Sequence, residues 1–250
     1  MYKVVVPALL LLSSSASAHH LQTTEDGART LGWCEKTIEF SVDQATETKL
    51  GAAGMAAMRR AGSAWLGLEG VPVISIVSER DADVGARGTI EWLPEWNRPD
   101  SHIAVADVDY FPSSGALIHA SIFINGQESW SLDASGMDGW EYDLESTMVH
   151  EFGHALGLDH LNRDNSVMQE AAKRGTLRLE PSDDDMDALE ASYAIDRACK
   201  RSVHEQVQEV PSCSATGVRD ATGGKRPAPM MMCAVMLAFL YRLFQRSKTK

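Results

Sequence analysis

The segment HEFGHALGLDH, His150 to His160, decides how this 250-residue chain is read, together with the methionine of SVMQ, Met168, eight residues further on. Residues four apart on a helix lie one above the other, so His150 and His154 aim their rings at one point. Neutral imidazoles suit a divalent zinc ion, but two ligands do not hold a catalytic metal, and a third must return to it. Gly157 supplies the means. In the left-handed conformation it ends the helix and turns the chain so that His160 comes back to the same ion. Glu151, about 100° around the helix from His150, stands clear of the ligand positions and reaches a water on the metal's open side. Zinc acidifies that water and polarises a carbonyl, while the carboxylate moves the proton to a leaving amine. Three nitrogen ligands, one open position and a base describe a site that hydrolyses amide bonds. A peptide-binding zinc protein that does not cleave is the alternative, and hydrolysis of a cell-wall peptide a third reading.

The flanking sequence predicts an α/β domain of about 165 residues. TIEFSV (Thr37–Val42) alternates apolar and polar residues as a strand does. From Thr46 to Trp65, Met55, Met58, Gly62 and Trp65 recur at helical spacing, with Arg59 and Arg60 facing water. VPVISIV (Val71–Val77) is a run dominated by β-branched residues, as expected of a strand buried on both faces. His102–Asp109 and Ile118–Asn125 read as two more strands, the second ending at the Asn125-Gly126 turn. Residues 126–142, rich in Gly, Ser and Asp, read as loop. Asp143 is placed to cap the helix that carries the histidines, and Ser182 or Asp183 to cap a last helix with an acidic first turn.

Around this domain, residues 1–18 read as an export signal: Lys3, an apolar run Val4–Leu12, and a small-residue cleavage pattern at Ala16-Ser17-Ala18. A short polar segment (19–32) leads into the catalytic domain (33–199). Residues 200–226 read as a flexible linker, 227–244 as a membrane anchor, and 245–250 as a basic tail left in the cytoplasm by the positive-inside rule. Export places the four cysteines in an oxidising compartment, where a Cys34–Cys199 disulfide would tie the domain's ends together. Residues 200–250 carry nine Lys and Arg against three Asp and Glu, +6, which leaves −18 of the chain's −12 for residues 1–199. So acidic a body argues against a nucleic-acid partner. Oligomeric state is not readable.

The HExxHxxGxxH pattern with its following methionine resembles the metzincin clan of zinc endopeptidases. HEFGHALGLDH and the closing LEPSDDDMDALEASY are most similar to the matrixin family, over about residues 33–195. That resemblance implies a zincin fold: a twisted, mostly parallel sheet with an antiparallel edge strand, an active-site helix, a Met-turn at Met168 and a C-terminal helix. It also implies catalytic zinc on His150, His154 and His160, with Glu151 as base, and a protein or peptide substrate paired along an edge strand, assigned to Ile118–Asn125. No PRCGxPD-type switch precedes the domain, and Cys34 in GWCEK lacks that context. The HGD-type loop for a structural zinc is also missing, leaving His102 and His119 as isolated histidines. Calcium ligands cannot be fixed, though Asp107 and Asp109 are candidates. Gln169-Glu170 stand where the family has Tyr-Pro, so pocket preference does not carry over. SCSATG, a linker, an apolar run and a basic end resemble bacterial C-terminal sorting tags, with processing around Cys213.

Overall fold

The computed structural model describes residues 21–195 apart from Val84 and Asp100. The signal (1–18), Cys199, the linker, the anchor and the basic tail lie outside the described residues. Among the described residues no helix is long and apolar enough to cross a membrane.

Among the described residues seven strands and three α-helices follow in order: β1 Thr37–Val42, α1 Gln44–Ser63, β2 Val73–Ser78, β3 Gly88–Leu93, β4 Ala104–Tyr110, β5 Leu117–Asn125, β6 Trp130–Ser131, β7 Tyr142–Asp143, α2 Leu144–Ala155 and α3 Asp183–Tyr193. Five strands form one sheet in the order β2-β1-β3-β5-β4. The first four run parallel, and β4 pairs antiparallel with β5 at the edge. Parallel strands need crossovers that cover a face, and α1 supplies one between β1 and β2. Ile38, Phe40, Val42, Ile90, Ile122 and Ile124 on the covered face join Met58, Trp65, Met148 and Phe152 from α1, α2 and the turn after α1 in one core. Phe40 meets Phe152 edge-on, ring centroids 5.2 Å apart.

Three expectations need correction. Ile118–Asn125, the strand assigned to substrate pairing, is β5 and lies between β3 and β4, so both of its edges are already hydrogen-bonded. The edge next to it is β4, whose outer side is unpaired in the sheet of the described residues. Val71–Val77, read as buried on both faces, contributes β2, which is the opposite edge, with Val73 46% exposed. A β-branched run shows that a strand packs on something, not that it is flanked on both sides. The stretch 126–142 is not all loop, because Trp130–Ser131 and Tyr142–Asp143 pair as a short parallel ribbon. GTIEWL, β3, carried no expectation at all. It is a short run whose Gly88 leaves room for the Phe40 ring: a Cβ there would stand 2.3 Å from it.

The start of the described chain is part of the domain. Leu21 bridges Leu158, Gln22 N–H donates to Gly157 O (2.9 Å), and Gly32 bridges Ala116. Leu31 and Trp33 are buried. Cys34 is disulfide-bonded; the pairing expected with Cys199 concerns a residue outside the described set.

Candidate active site

Helix α2 begins where the Asp143 carboxylate accepts the Ser146 N–H (2.6 Å), as the sequence led us to expect. It ends at Gly157, whose φ of 104° is open to glycine and strained for other residues. Leu158 N–H donates to Gly153 O (3.0 Å) and Gly157 N–H to His154 O (2.9 Å), the paired bonds of a Schellman ending. Two more end carbonyls are taken by side chains: Ala155 O accepts the Trp33 indole N–H (2.7 Å) and Leu156 O the Tyr193 hydroxyl (3.0 Å). No turn remains to be added to the helix. The chain reverses, and His160 returns.

The three rings converge. His154 Nε2 lies 3.0 Å from His150 Nε2 and 3.2 Å from His160 Nε2. On the far side of the rings, His150 Nδ1 is 2.8 Å from Val167 O and His154 Nδ1 is 2.9 Å from Leu158 O. A carbonyl only accepts, so each Nδ1 carries the proton and each facing Nε2 presents a lone pair. Lone pairs turned on one another at 3.0 Å repel unless a cation lies among them. Nitrogens on a tetrahedral zinc, each at about 2.05 Å, stand about 3.3 Å apart, close to the spacing found. Burial above all holds the His150 ring down at about 3 and the His154 ring at about 4, so both are neutral at pH 7 and able to ligate. The donor set fits zinc. Among the described residues this is the one cluster of three or more His, Cys, Asp or Glu placed to hold a metal. Asp107 instead pairs with Arg98 at 2.8 Å, and neither it nor Asp109 belongs to such a cluster.

Glu151 is 4% exposed and lines the same cleft. Its burial pushes the carboxyl up to about 8, against the pull of the Ala106 N–H on β4 and with a further rise from Asp107. One oxygen, Oε2, has no protein partner. A buried carboxyl with an unmatched oxygen is costly in a merely structural role and suited to passing a proton.

Beneath the triad the chain from Ser166 to Met168 is held by one residue of α3. Asp185, 1% exposed, accepts from Ser166 Oγ (2.5 Å) and from Val167 N–H (3.0 Å), while Ser182 and Asp185 close a capping box on the helix that carries it. Val167 can thus offer its carbonyl to His150 in one position. Met168 packs so closely under α2 that a Cβ on Gly153 would come within 2.2 Å of its sulfur. The sequence showed Ser182 and Met168, but not Asp185, because a carboxylate spent on backbone amides has no spacing signature. Gln22 was missed as well. It reaches the cleft with its Nε2 3.5 Å from His154 Nδ1.

The cleft, about 490 Å³, runs between β4 with residues 101–103 before it, the face of α2 bearing His150 and His154, and residues 169–178. A family model described as Matrixin matches residues 32–194. The chain belongs to the matrixin family. As a matrixin it is 31% identical to Metalloendoproteinase 5-MMP of Arabidopsis thaliana over 91 residues, 32% of this chain and 25% of that protein. It is 24% identical to Karilysin of Tannerella forsythia over 142 residues, 54% of this chain and 28% of that protein. With human Matrix metalloproteinase-16 it shares 30% identity over 142 residues, 54% of this chain and 23% of the relative. The chain thus spans about a quarter of the length of these relatives. The mixed sheet and three helices are the α/β arrangement expected of a metzincin.

Proposed function

We propose that this chain is an exported, zinc-dependent endopeptidase in which His150, His154 and His160 hold the metal and Glu151 is the general base. The observation that carries the reading is the convergence of three Nε2 atoms, two of them fixed as lone-pair donors, beside a buried carboxyl with a free oxygen. Zinc, when bound, acts as a Lewis acid toward the peptide carbonyl and makes a water easier to deprotonate. The chain's own groups do the rest. An extended peptide pairs with the free edge of β4, which lays its backbone across the cleft. Glu151 takes a proton from the attacking water and returns it to the amine that leaves when the C–N bond breaks. Val167 O and Leu158 O keep two imidazoles in the ligating tautomer throughout.

The Cys34 disulfide supports export to an oxidising compartment, and the apolar segment at 227–244 supports tethering to the envelope. Calcium has no assigned site. The non-cleaving alternative gives Glu151 nothing to do.

The decisive test is zinc content by mass spectrometry together with cleavage of casein. About one zinc per chain is expected, with cleavage stopped by a chelator and restored by zinc. Zinc binding without cleavage of any member of a diverse peptide library would leave a peptide-binding protein instead.

A further inference from the structure

The wall of the cleft facing β4 carries an arginine placed unlike the paired arginines of the domain. Six of them, at 60, 80, 87, 98, 163 and 174, hold a carboxylate at 3.4 Å or closer. Arg178 lines the cleft, half-buried, and takes part in none of these pairs. Its backbone N–H donates to Ser146 Oγ (2.9 Å), and Ser146 is one turn of α2 ahead of His150. Arg178, Ser146 and His150 thus line the same cleft.

What props it there is neutral. One terminal nitrogen donates to the side-chain oxygen of Gln169 and the other to Ala171 O (3.3 Å). A guanidinium has five N–H donors and these bonds use two, leaving enough of the fork for a carboxylate. Glu170 and Lys173, both exposed on the same wall, carry opposite charges. Half-burial without a counter-ion is unfavourable for the free protein, and a ligand carboxylate relieves it.

We propose that Arg178 selects an acidic substrate: an Asp or Glu side chain enters the pocket between Ser146 and residues 169–178 and pairs with its guanidinium, so that the chain cleaves peptides next to an acidic residue. The inference rests on the peptidase reading. A free C-terminal carboxylate has the same chemistry, and the test must separate the two.

The experiment uses the full zinc-loaded chain and quenched fluorescent peptides alike except for Glu, Gln or Lys at one position at a time around the cut, each with a free and an amidated end. One position is expected to favour Glu over Gln by about tenfold or more in kcat/KM, whether or not the end is amidated. Arg178→Gln should bring that ratio close to one, and Arg178→Glu should turn the preference toward Lys. If Arg178→Gln fails to take up zinc, Arg178→Lys keeps the charge without the fork and should give an intermediate ratio. Cleavage with no acidic preference at any position, an unchanged ratio in Arg178→Gln, or a preference that vanishes on amidation would each overturn the proposal while leaving the peptidase intact. Absence of cleavage by the zinc-loaded wild type removes both.

Discussion

The two sides of the cleft are held in different ways. On the triad side, Gly153, Gly157, Met168 and Asp185 leave almost no freedom: two added methyl groups would collide at 2.2 and 2.6 Å, and the Asp185 carboxylate accepts from both Ser166 and Val167. On the facing wall, residues 170–175 are all exposed. They are fastened by a few contacts: the Gly175 N–H to Glu141 O (2.9 Å), and Arg174, which pairs with Glu128 and lies 4.3 Å over the Tyr142 ring. Metal geometry must be fixed within a few tenths of an ångström, so the sequence over-determines it. A wall that takes no part in holding the metal tolerates more variation.

The comparison can be broken at several points, beginning with the largest expected effect. Glu151→Gln should lower kcat/KM on casein-derived peptides by about 10²–10⁴-fold while zinc content stays unchanged, because it removes the proton carrier and no ligand. Gly157→Ala meets both a positive φ and the Leu31 carbonyl 2.6 Å from the new methyl. It should cost about 2 kcal/mol or more in urea unfolding and most of the bound zinc. Gly153→Ala should cost about 1–3 kcal/mol by pushing Met168 out from under the triad. Its signature is weakened zinc affinity with near-normal circular dichroism.

Metal-free protein offers a pH test of the same scaffold. His150 and His154 have folded values of about 3 and about 4, below the unfolded value near 6.5, so from these rings stability is complete above 6.5 and declines as pH falls through them. Glu151 is the reverse. Its folded value of about 8 exceeds the unfolded 4.5, so its favourable contribution is lost as pH rises between the two. Between about 4.5 and 6.5, unfolding takes up a net of one proton from these three groups, and between 6.5 and 8 it releases one. Unfolding free energies of chelated protein, read from urea titrations, should therefore peak near pH 6.5, with slopes of about 1.4 kcal/mol per pH unit on each side. In Glu151→Gln the alkaline fall should disappear, and if it stays, the buried carboxyl is not its source.

The smallest effect belongs to the wall. Arg174→Ala removes a partly exposed ion pair and a cation–π contact, together about 1 kcal/mol. It should raise KM for peptides with zinc content unaltered. A large loss of zinc there would erase the distinction between the two sides.

The division also explains which parts of the molecule could be read from the chain alone. The three histidines, Glu151, Gly157 and Met168 lie within nineteen residues, and helix periodicity with one glycine break relates most of them. Asp143 and Ser182 were legible for a similar reason, since a cap is a local rule. What escaped depends on distant partners. β3 is recognised only by β1 and β5 on either side of it, the order of strands in the sheet has no local mark, and β5 was therefore taken for the edge in place of β4. The carbonyls of Val167 and Leu158 that fix two imidazole tautomers belong to residues of unremarkable type. Arg178 carried no expectation, because its place on the cleft wall depends on Gln169 and Ala171 and on the ion pair it does not make among the described residues.

The free margin of β4 lies against Glu151 through the Ala106 amide, so the ledge proposed to receive a substrate backbone is coupled to the group proposed to move the proton. Any peptide laid along that ledge competes for, or reorganises, the donor that tempers the basicity of the carboxyl. Docking and the readiness of the base are then one event. Short strand mimics that bind without reaching the histidines would accordingly change reactivity as well as occupy space.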